Sequence, residues 1–407
     1  MVHTPAFVPL ATKATVKGLL ADEVAALGYE MVLGNTFHLL VNPGPDAIER
    51  LGGLHRFMGW QRPIITDSGG FQVFSMGHGR VADEIKGSRR RGPLEGMAAP
   101  SDGVAAIDAP ASDRELHGAV LAIDEQGVRF RSYVDGRELT LTPERSVAVQ
   151  AALGSDIALA FDECTPYHVG REYTQRSTER THRWLERCLA WHAEHGPPAQ
   201  LLYGISQGGV FEDLRRASTR TVAASGCGGI AIGGSLGATP AQMHDVVGFA
   251  LAELGGEREQ LPRHLLGIGE VEDLIAGVML GIDTFDCAMP TRLGRHGSAL
   301  VPDAPGEQLA GDRSRRWRID LAKRRWQDDE RTLQDGCPCP ACSRGLSRAY
   351  LSYLVRAKEL TGVRLLSAHN LAFLRSLMSA MRTGIIEGRL QEALAEWRTG
   401  KAAAHVP

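Results

Sequence analysis

Three cysteines and one histidine near the end of the chain have the spacing of a metal site. Cys337, Cys339 and Cys342 form the pattern Cys-x-Cys-x-x-Cys, and His369 follows further along the chain. Three thiolates and one imidazole would complete a tetrahedral Zn²⁺ site that leaves no open position for water. We therefore predict one structural Zn²⁺ ion per subunit. The alternative is a group of unligated thiols.

Acidic and amide side chains at the ends of apolar segments are the candidate catalytic groups. Asp67, Asp162 and Asp286 each follow such a segment directly or end it. A single aspartate there is commonly only a turn or capping residue, but three acids at one site would repel each other unless they served a purpose. The set predicts acid/base or nucleophilic catalysis. Gln207 offers a donor and an acceptor suited to a purine or pyrimidine edge, and Gly234 offers an accessible backbone N–H.

Basic residues are clustered after the last of these segments. Arg292 and Arg295 are followed by a group of arginines and a lysine between 313 and 325, with Trp317 and Trp326 among them. Cations beside aromatic rings suit the phosphates and unstacked bases of a nucleic acid. The alternative is a solvated surface on which neighbouring acids pair with these cations.

The apolar segments themselves indicate the architecture. Continuous apolar runs, rather than alternating ones, are typical of parallel strands that helices cover on both faces. Eight such strands separated by helical stretches predict an α/β fold, a (β/α)8 TIM barrel, whose chemistry lies on the loops after the strands. The predicted strands are Pro5–Leu10, Tyr29–Leu33, Pro63–Thr66, Asp156–Phe161, Leu201–Ile205, Gly229–Ile232, Arg263–Ile268 and Thr284–Ala288. The predicted helices are Ala21–Leu27, Pro143–Leu153, Thr174–His195, Glu212–Ser225, Pro240–Leu254 and Val271–Leu280.

Composition changes along the chain predict its domains. We assign residues 1–302 to the catalytic barrel, with a surface insertion at about 80–121, where Gly, Ala, Pro and charged residues are frequent. Residues 303–400 would form an appended C-terminal zinc-binding and helical subdomain packed on the barrel. Residues 401–407 would form a frayed tail.

The overall composition is typical of a soluble globular enzyme. The net charge of the 407 residues is −3, which excludes the global cationic field of a histone-like protein. No apolar run is long enough to span a membrane, and the first residues lack the plan of a signal peptide. These features predict a cytoplasmic protein with no membrane partner.

The motifs around these residues resemble those of the bacterial type of the tRNA-guanine transglycosylase (queuine tRNA-ribosyltransferase) family. The resemblance begins at Thr66-Asp67-Ser68-Gly69-Gly70-Phe71-Gln72 and extends over nearly the whole chain. It implies a zinc-containing barrel enzyme, a pentosyltransferase of queuosine biosynthesis. Such an enzyme exchanges guanine at the wobble position of tRNAs with a GUN anticodon for a 7-deazaguanine base, and it acts as a homodimer. The other matching motifs are Phe161-Asp162-Glu163-Cys164, Gly204-Ile205-Ser206-Gln207-Gly208, Ile232-Gly233-Gly234, Phe285-Asp286-Cys287-Ala288-Met289-Pro290 and Ala368-His369-Asn370.

The same resemblance implies a role for individual residues. Asp286 would be the nucleophile that attacks C1′ of the ribose and holds the RNA covalently, and Asp67 would be the general acid/base. The base's hydrogen-bonding edge would be read by Asp162, Gln207 and the N–H of Gly234. The remaining implied contacts are Phe71 and Leu266 on the two faces of the base, Asn35 beside the ribose or the catalytic acids, and Arg292 and Arg295 on the tRNA backbone.

One departure from the family pattern bears on the incoming base. Gly237 stands where typical bacterial members have valine and queuine-using eukaryotic members have glycine. A glycine would enlarge the pocket beside the 7-substituent and admit queuine, whereas Leu236 would refill that space, so preQ1 is the expected base. The alternatives are a queuine-salvaging enzyme and a non-catalytic tRNA-binding partner subunit, and the retained Asp67 and Asp286 argue against the second. A second departure is at the N-terminus, where family members usually carry an extra hairpin before the position of Thr4.

Overall fold

The structure is a computed structural model that describes residues 1–77, 120–167, 169–302 and 317–398. Most of the predicted insertion at about 80–121 lies outside the described residues, and so do the predicted tail 401–407 and the basic residues from 313 to 316. Val120 and Leu121, the last two residues assigned to the insertion, lie in a strand.

Eight parallel strands form a closed barrel, which confirms the predicted fold class. Around the barrel the neighbouring strands are, in order, Ala6–Ala11, Thr284–Cys287, Arg263–Leu265, Gly229–Ile232, Leu201–Ser206, Ile157–Leu159, Ile64–Thr66 and Val32–Gly34. The eight predicted strands all occur, with bounds that differ by a few residues. The strands are β1 (Ala6–Ala11), β2 (Val32–Gly34), β3 (Ile64–Thr66), β4 (Val120–Ile123), β5 (Val128–Arg131), β6 (Glu138–Leu141), β7 (Ile157–Leu159), β8 (Leu201–Ser206), β9 (Gly229–Ile232), β10 (Arg263–Leu265), β11 (Thr284–Cys287), β12 (Ser298–Leu300) and β13 (Arg318–Asp320).

Burial explains why the strands read as continuous apolar runs. Every residue of β9 and of β11 is buried, as expected for parallel strands covered on both faces. The six predicted helices also occur, and they cover the strands. The helices are Ala21–Ala26, Thr36–Val41, Pro45–Arg50, Gly53–Met58, Gly70–Gly77, Pro143–Leu153, Arg171–His195, Glu212–Ala224, Pro240–Leu251, Val271–Leu280, Met289–Arg295, Arg348–Arg356, Leu360–Ile386 and Leu390–Arg398.

The chain divides into two compact units. The first unit comprises Met1–Gly34, Met58–Pro63 and Gly267–Pro407, and the second comprises Asn35–Phe57 and Ile64–Leu266. These units do not follow the boundary near residue 302, so the division into a barrel and a C-terminal subdomain stays a prediction.

Each unit has its own sheet pairings. In the first unit β1 pairs with β2 and β11, and β12 pairs antiparallel with β13. In the second unit β7 pairs with β3 and β8, and β9 pairs with β8 and β10. A three-stranded antiparallel sheet of β4, β5 and β6, which the sequence did not predict, also belongs to the second unit.

The part of the first unit that follows β11 has an apolar core of its own. Its buried members include Trp326, Leu351 and Leu366, which pack with Cys337 and Cys339. Asn370 connects this core to the preceding chain, because its side chain accepts from the Leu300 N–H and donates to the carbonyls of Pro290 and Ser298. Across the described ranges, no helix is long and apolar enough to cross a membrane.

Candidate active site

The Asp67 carboxylate follows β3 and is held by donors from two loops. Asn35 caps the helix that begins at Thr36, and its Nδ2 donates to Asp67 Oδ2 at 2.5 Å. The Thr36 N–H donates to Asp67 Oδ1 at 2.9 Å. Gly69 and Gln72, from Asp67's own loop and helix, add donors at 3.2 and 3.3 Å. These donors orient the Asp67 carboxylate as an acceptor. Asn35 contacts this acid directly.

Asp162 is a buried acid between two polar side chains. The Ser68 hydroxyl donates to its Oδ1 at 2.8 Å, and Gln207 Nε2 donates to its Oδ2 at 2.6 Å. Burial raises the pKa of Asp162 to about 6, although these two hydrogen bonds act in the opposite direction. The side chain is thus an acceptor above that pH and holds a proton below it.

Gln207 and Gly234 lie against each other beside Asp162. Gln207 is buried, and its Oε1 has no hydrogen-bond partner among the described residues. A Cβ on Gly234 would lie 2.1 Å from that oxygen, and the φ of Gly234 is +78°, so only glycine fits here. The Gly234 N–H meets the sulfur of Cys164, a thiol whose pKa burial raises.

The two apolar residues predicted to cover the base follow β3 and β10. Phe71 lies in the first turn of the helix Gly70–Gly77 and is partly exposed. Leu266 directly follows β10 and is also partly exposed, and its Cδ1 would lie 3.3 Å from a Cβ on Gly233. Leu266 is therefore adjacent to the loop that carries Gly234.

Asp286 lies in the first unit, on β11. Its side chain is buried, and its Oδ1 accepts a hydrogen bond from the Gly267 N–H at 3.0 Å. In the strand pairing with β1, Asp286 stands opposite Val8. The carboxylate is therefore anchored both by its strand and by the backbone of the loop after β10.

Arg292 and Arg295 lie in the last turn of the helix Met289–Arg295, which follows β11. Arg295 is exposed and donates to the Thr291 hydroxyl at 3.2 Å. Partial burial and the nearby charge of Arg292 lower the pKa of Arg295. Two neighbouring cations of this kind favour the binding of an anion.

The four predicted metal ligands lie together in the first unit. The Sγ atoms of Cys337, Cys339 and Cys342 are 3.7, 3.4 and 3.5 Å from His369 Nδ1. Zinc–ligand bonds of about 2.3 Å to sulfur and 2.0 Å to nitrogen place S and N about 3.5 Å apart in a tetrahedron, so the donors fit Zn²⁺. His369 Nε2 lies 2.7 Å from the Leu300 carbonyl oxygen, which leaves Nδ1 for the metal.

Two residues of this region were not among the predicted site residues. Ser68 stands within the Asp-Ser-Gly-Gly motif, and only the structure shows that its hydroxyl reaches Asp162. Arg215 is fully buried on the inner face of the helix Glu212–Ala224, together with Ser218, Thr219 and Val222. The i, i+3, i+4, i+7 spacing of these four residues is the signal that could have placed Arg215 on the buried face.

Comparisons with known proteins agree with these motifs. A sequence profile described as "Queuine tRNA-ribosyltransferase" matches residues 1–96 and 115–403. A protein named queuine tRNA-ribosyltransferase from Roseiflexus sp. (strain RS-1) is 45% identical over 406 residues, covering 98% of this chain and 93% of the relative. A relative of the same name from Thermus thermophilus is 42% identical over 408 residues, which cover 100% of this chain and 90% of the relative. A third relative of this name, from Symbiobacterium thermophilum, is 40% identical over 407 residues, which cover 99% of this chain and 87% of the relative.

Proposed function

Because the chain belongs to the queuine tRNA-ribosyltransferase family of pentosyltransferases, we propose that it exchanges guanine at the wobble position of tRNAs with a GUN anticodon for preQ1. The observation that supports this most directly is the buried pair of Asp162 and Gln207 beside the backbone of Gly234. Together they gather a carboxylate, an amide and a backbone N–H, which are the acceptor and donor types that a purine edge pairs with.

Base recognition would use these groups directly. The Asp162 carboxylate accepts from the ring N–H and exocyclic amine of guanine, while Gln207 Nε2 donates to its carbonyl oxygen. The Gly234 N–H would donate to the same oxygen by exchanging its weak acceptor, the Cys164 sulfur, for it. Phe71 and Leu266 would cover the two faces of the ring. A base in an anticodon loop can be extracted cheaply because it is already single-stranded.

The exchange would proceed through a covalent aspartyl–ribosyl intermediate. An oxygen of Asp286 forms a bond to C1′ while the C1′–N9 bond breaks and its electron pair leaves with guanine. Asp67 supplies the proton that the departing guanine takes up, and it later removes the N9 proton of preQ1. The preQ1 nitrogen then attacks C1′, and the bond to Asp286 breaks. Asn35 would hold Asp67 in place for both proton transfers.

Zinc would take no part in these steps. Bound by Cys337, Cys339, Cys342 and His369, it would cross-link the loop that carries the cysteines to the helix Leu360–Ile386. Such a fully ligated ion stabilises structure and offers no position for substrate.

The loop after Gly234 bears on which base is incorporated. The φ of Gly237 is +101°, and a Cβ there would lie 2.7 Å from the Gln242 side chain, so valine could not take this loop conformation. The Gln242 Oε1 accepts from the Ala238 N–H at 3.0 Å and holds the loop. Leu236 is buried, which supports the small base preQ1 over queuine. Queuine remains the alternative because glycine adds no side chain beside it.

The partners follow from the same proposal. Arg292 and Arg295 would bind phosphates of the anticodon stem-loop, and two copies of the chain would form a homodimer in the cytoplasm. The neighbouring arginines, of which Arg292 is partly exposed and Arg295 is exposed, are the described feature that supports the tRNA contact.

The decisive experiment is guanine exchange with purified protein, a tRNA with a GUN anticodon and radiolabelled guanine. We expect label to enter the tRNA, and we expect Asp286→Asn to bind tRNA but lose both exchange and the denaturant-resistant adduct. Asp245→Asn, an exposed aspartate on the helix Pro240–Leu251, is the control and should exchange normally.

Competition with preQ1 and queuine then identifies the base. Stronger competition by queuine would support the salvage alternative. If the protein bound tRNA but incorporated no label, it would be a partner subunit rather than the enzyme. Normal exchange by Asp286→Asn would refute the assignment of the nucleophile.

A further inference from the structure

Arg215 is a fully buried cation in the second unit, and it makes no ion pair with an acid among the described residues. It lies in the first half of the helix Glu212–Ala224, and none of its hydrogen bonds within the described chain goes to a carboxylate. Burial lowers the pKa of Arg215 to about 10, so the guanidinium is still ionised at neutral pH. Burying a charge without a counter-ion is costly, and here hydrogen bonds to backbone carbonyl oxygens offset that cost.

The guanidinium joins the two loops that carry the proposed base-reading groups. Its four acceptors are all backbone carbonyl oxygens at or just after the ends of β8 and β9, the strands that precede Gln207 and Gly234. Nη1 donates to Ser206 at 2.7 Å and to Gly233 at 3.0 Å, and Nη2 donates to Gly209 at 2.9 Å and to Ser235 at 3.3 Å. One rigid fork therefore sets the spacing of both loops.

One of these acceptors belongs to the peptide group that presents the Gly234 N–H. The Gly233 carbonyl and the Gly234 N–H are the two ends of a single amide. A charged donor on the carbonyl oxygen draws electron density toward that oxygen and makes the N–H at the other end a stronger donor. The positive charge of Arg215 therefore polarises the Gly234 N–H through one peptide group.

We propose that Arg215 is a positioning residue for base exchange, which fixes the loops of Gln207 and Gly234 and strengthens the Gly234 N–H toward the departing base. This inference rests on the proposed function. When the C1′–N9 bond breaks, its electron pair leaves with the base and negative charge spreads onto the base's carbonyl oxygen. A polarised N–H there stabilises that charge before the proton arrives.

The test compares two leaving bases of different acidity. Arg215→Gln keeps an amide that can donate to a carbonyl but removes the charge, and Arg215→Lys keeps the charge but cannot hold four acceptors. The substrates are tRNAs that carry guanine or the more acidic 8-azaguanine at the wobble position. Arg220→Met, an exposed arginine of the same helix that pairs with Glu253, is the control and should exchange normally.

For Arg215→Gln we expect kcat with guanine to fall about 10- to 100-fold, less than the loss on removing a direct oxyanion donor. The loss should be smaller with 8-azaguanine, which needs less stabilisation as it leaves. Arg215→Lys should raise KM for the free base and keep the wild-type ratio between the two leaving bases. A merely structural role would change both leaving bases by the same factor.

Equal losses with both bases, or an unchanged kcat in folded Arg215→Gln, would overturn the proposal. If Arg215→Gln does not fold, the same ratio is measured for Arg215→Lys, which keeps the charge: a larger loss of kcat with guanine than with 8-azaguanine in that variant would also overturn the proposal. Failure of the proposed function is distinguishable, since the wild-type protein would then exchange neither base.

Discussion

Replacing Asp162 with asparagine should make the second unit more stable at neutral pH while it abolishes base exchange. Asparagine has nearly the same shape, stays neutral at every pH and can still accept from the Ser68 hydroxyl. If the Gln207 amide rotates, its Oε1 accepts from the asparagine Nδ2, which replaces the hydrogen bond from Gln207 Nε2 to Asp162 Oδ2. The exchange activity should be lost because the ring N–H of guanine would then face a donor.

The size of the effect follows from the burial of the carboxyl group. Burial raises the pKa of Asp162 from an ordinary 3.8 to about 6. At about 1.4 kcal/mol for each pKa unit, the ionised carboxylate costs the folded state about 3 kcal/mol. Since the folded pKa is the higher one, the stabilisation is complete below pH 3.8 and is lost as the pH rises through about 6. Between about pH 4.5 and 7.5 the free energy of unfolding of the wild-type protein should fall by about 2 kcal/mol, and that of the variant should not.

Hydrogen exchange of the β7 and β8 amides, followed by mass spectrometry, measures the opening free energy of this region. The difference between Asp162→Asn and the wild type should grow by about 2 kcal/mol over this pH range. Asp213→Asn is the control, because the Asp213 side chain is 63% exposed and remains hydrated in the folded protein. A difference between the variant and the wild type that stays constant with pH would refute the argument from burial.

Three further perturbations test other parts of the structure. Chelation of the metal, or Cys339→Ser, should cost several kcal/mol of stability and lower the melting temperature; an unchanged melt with full activity would exclude a structural metal. Asn35→Ala should lose about 1 kcal/mol of helix capping and slow exchange more than it weakens tRNA binding, because Asp67 loses a donor. Equal effects on both would contradict the link to Asp67. Gly237→Ala should destabilise the loop by about 1–3 kcal/mol in thermal unfolding, and it should cost less when introduced into Gln242→Ala, where the clashing side chain is gone; an equal cost in both backgrounds would show that the side-chain clash is not the cause.

The amino-acid sequence alone was sufficient for the features that depend on local pattern. The barrel was predictable because eight buried parallel strands must be apolar on both faces, which leaves continuous runs that can be counted. The metal ligands were predictable because three of them lie within six residues of chain, from Cys337 to Cys342, and sulfur ligands are chemically distinctive. The same local character explains why the helix Pro143–Leu153 was predicted to the residue, since Thr142 caps it and Gly154 ends it.

The contacts between distant residues required the folded chain. Asn35 and Asp67 are recognisable as strand-end residues, but their hydrogen bond depends on how two loops are brought together by the neighbouring parallel strands. The short helices from Thr36 to Met58 were missed because their residues carry no sustained apolar period. Arg215 shows the limit most clearly. Arginine on a helix normally indicates a solvated face, and only packing against four backbone carbonyls stabilises its charge inside the protein.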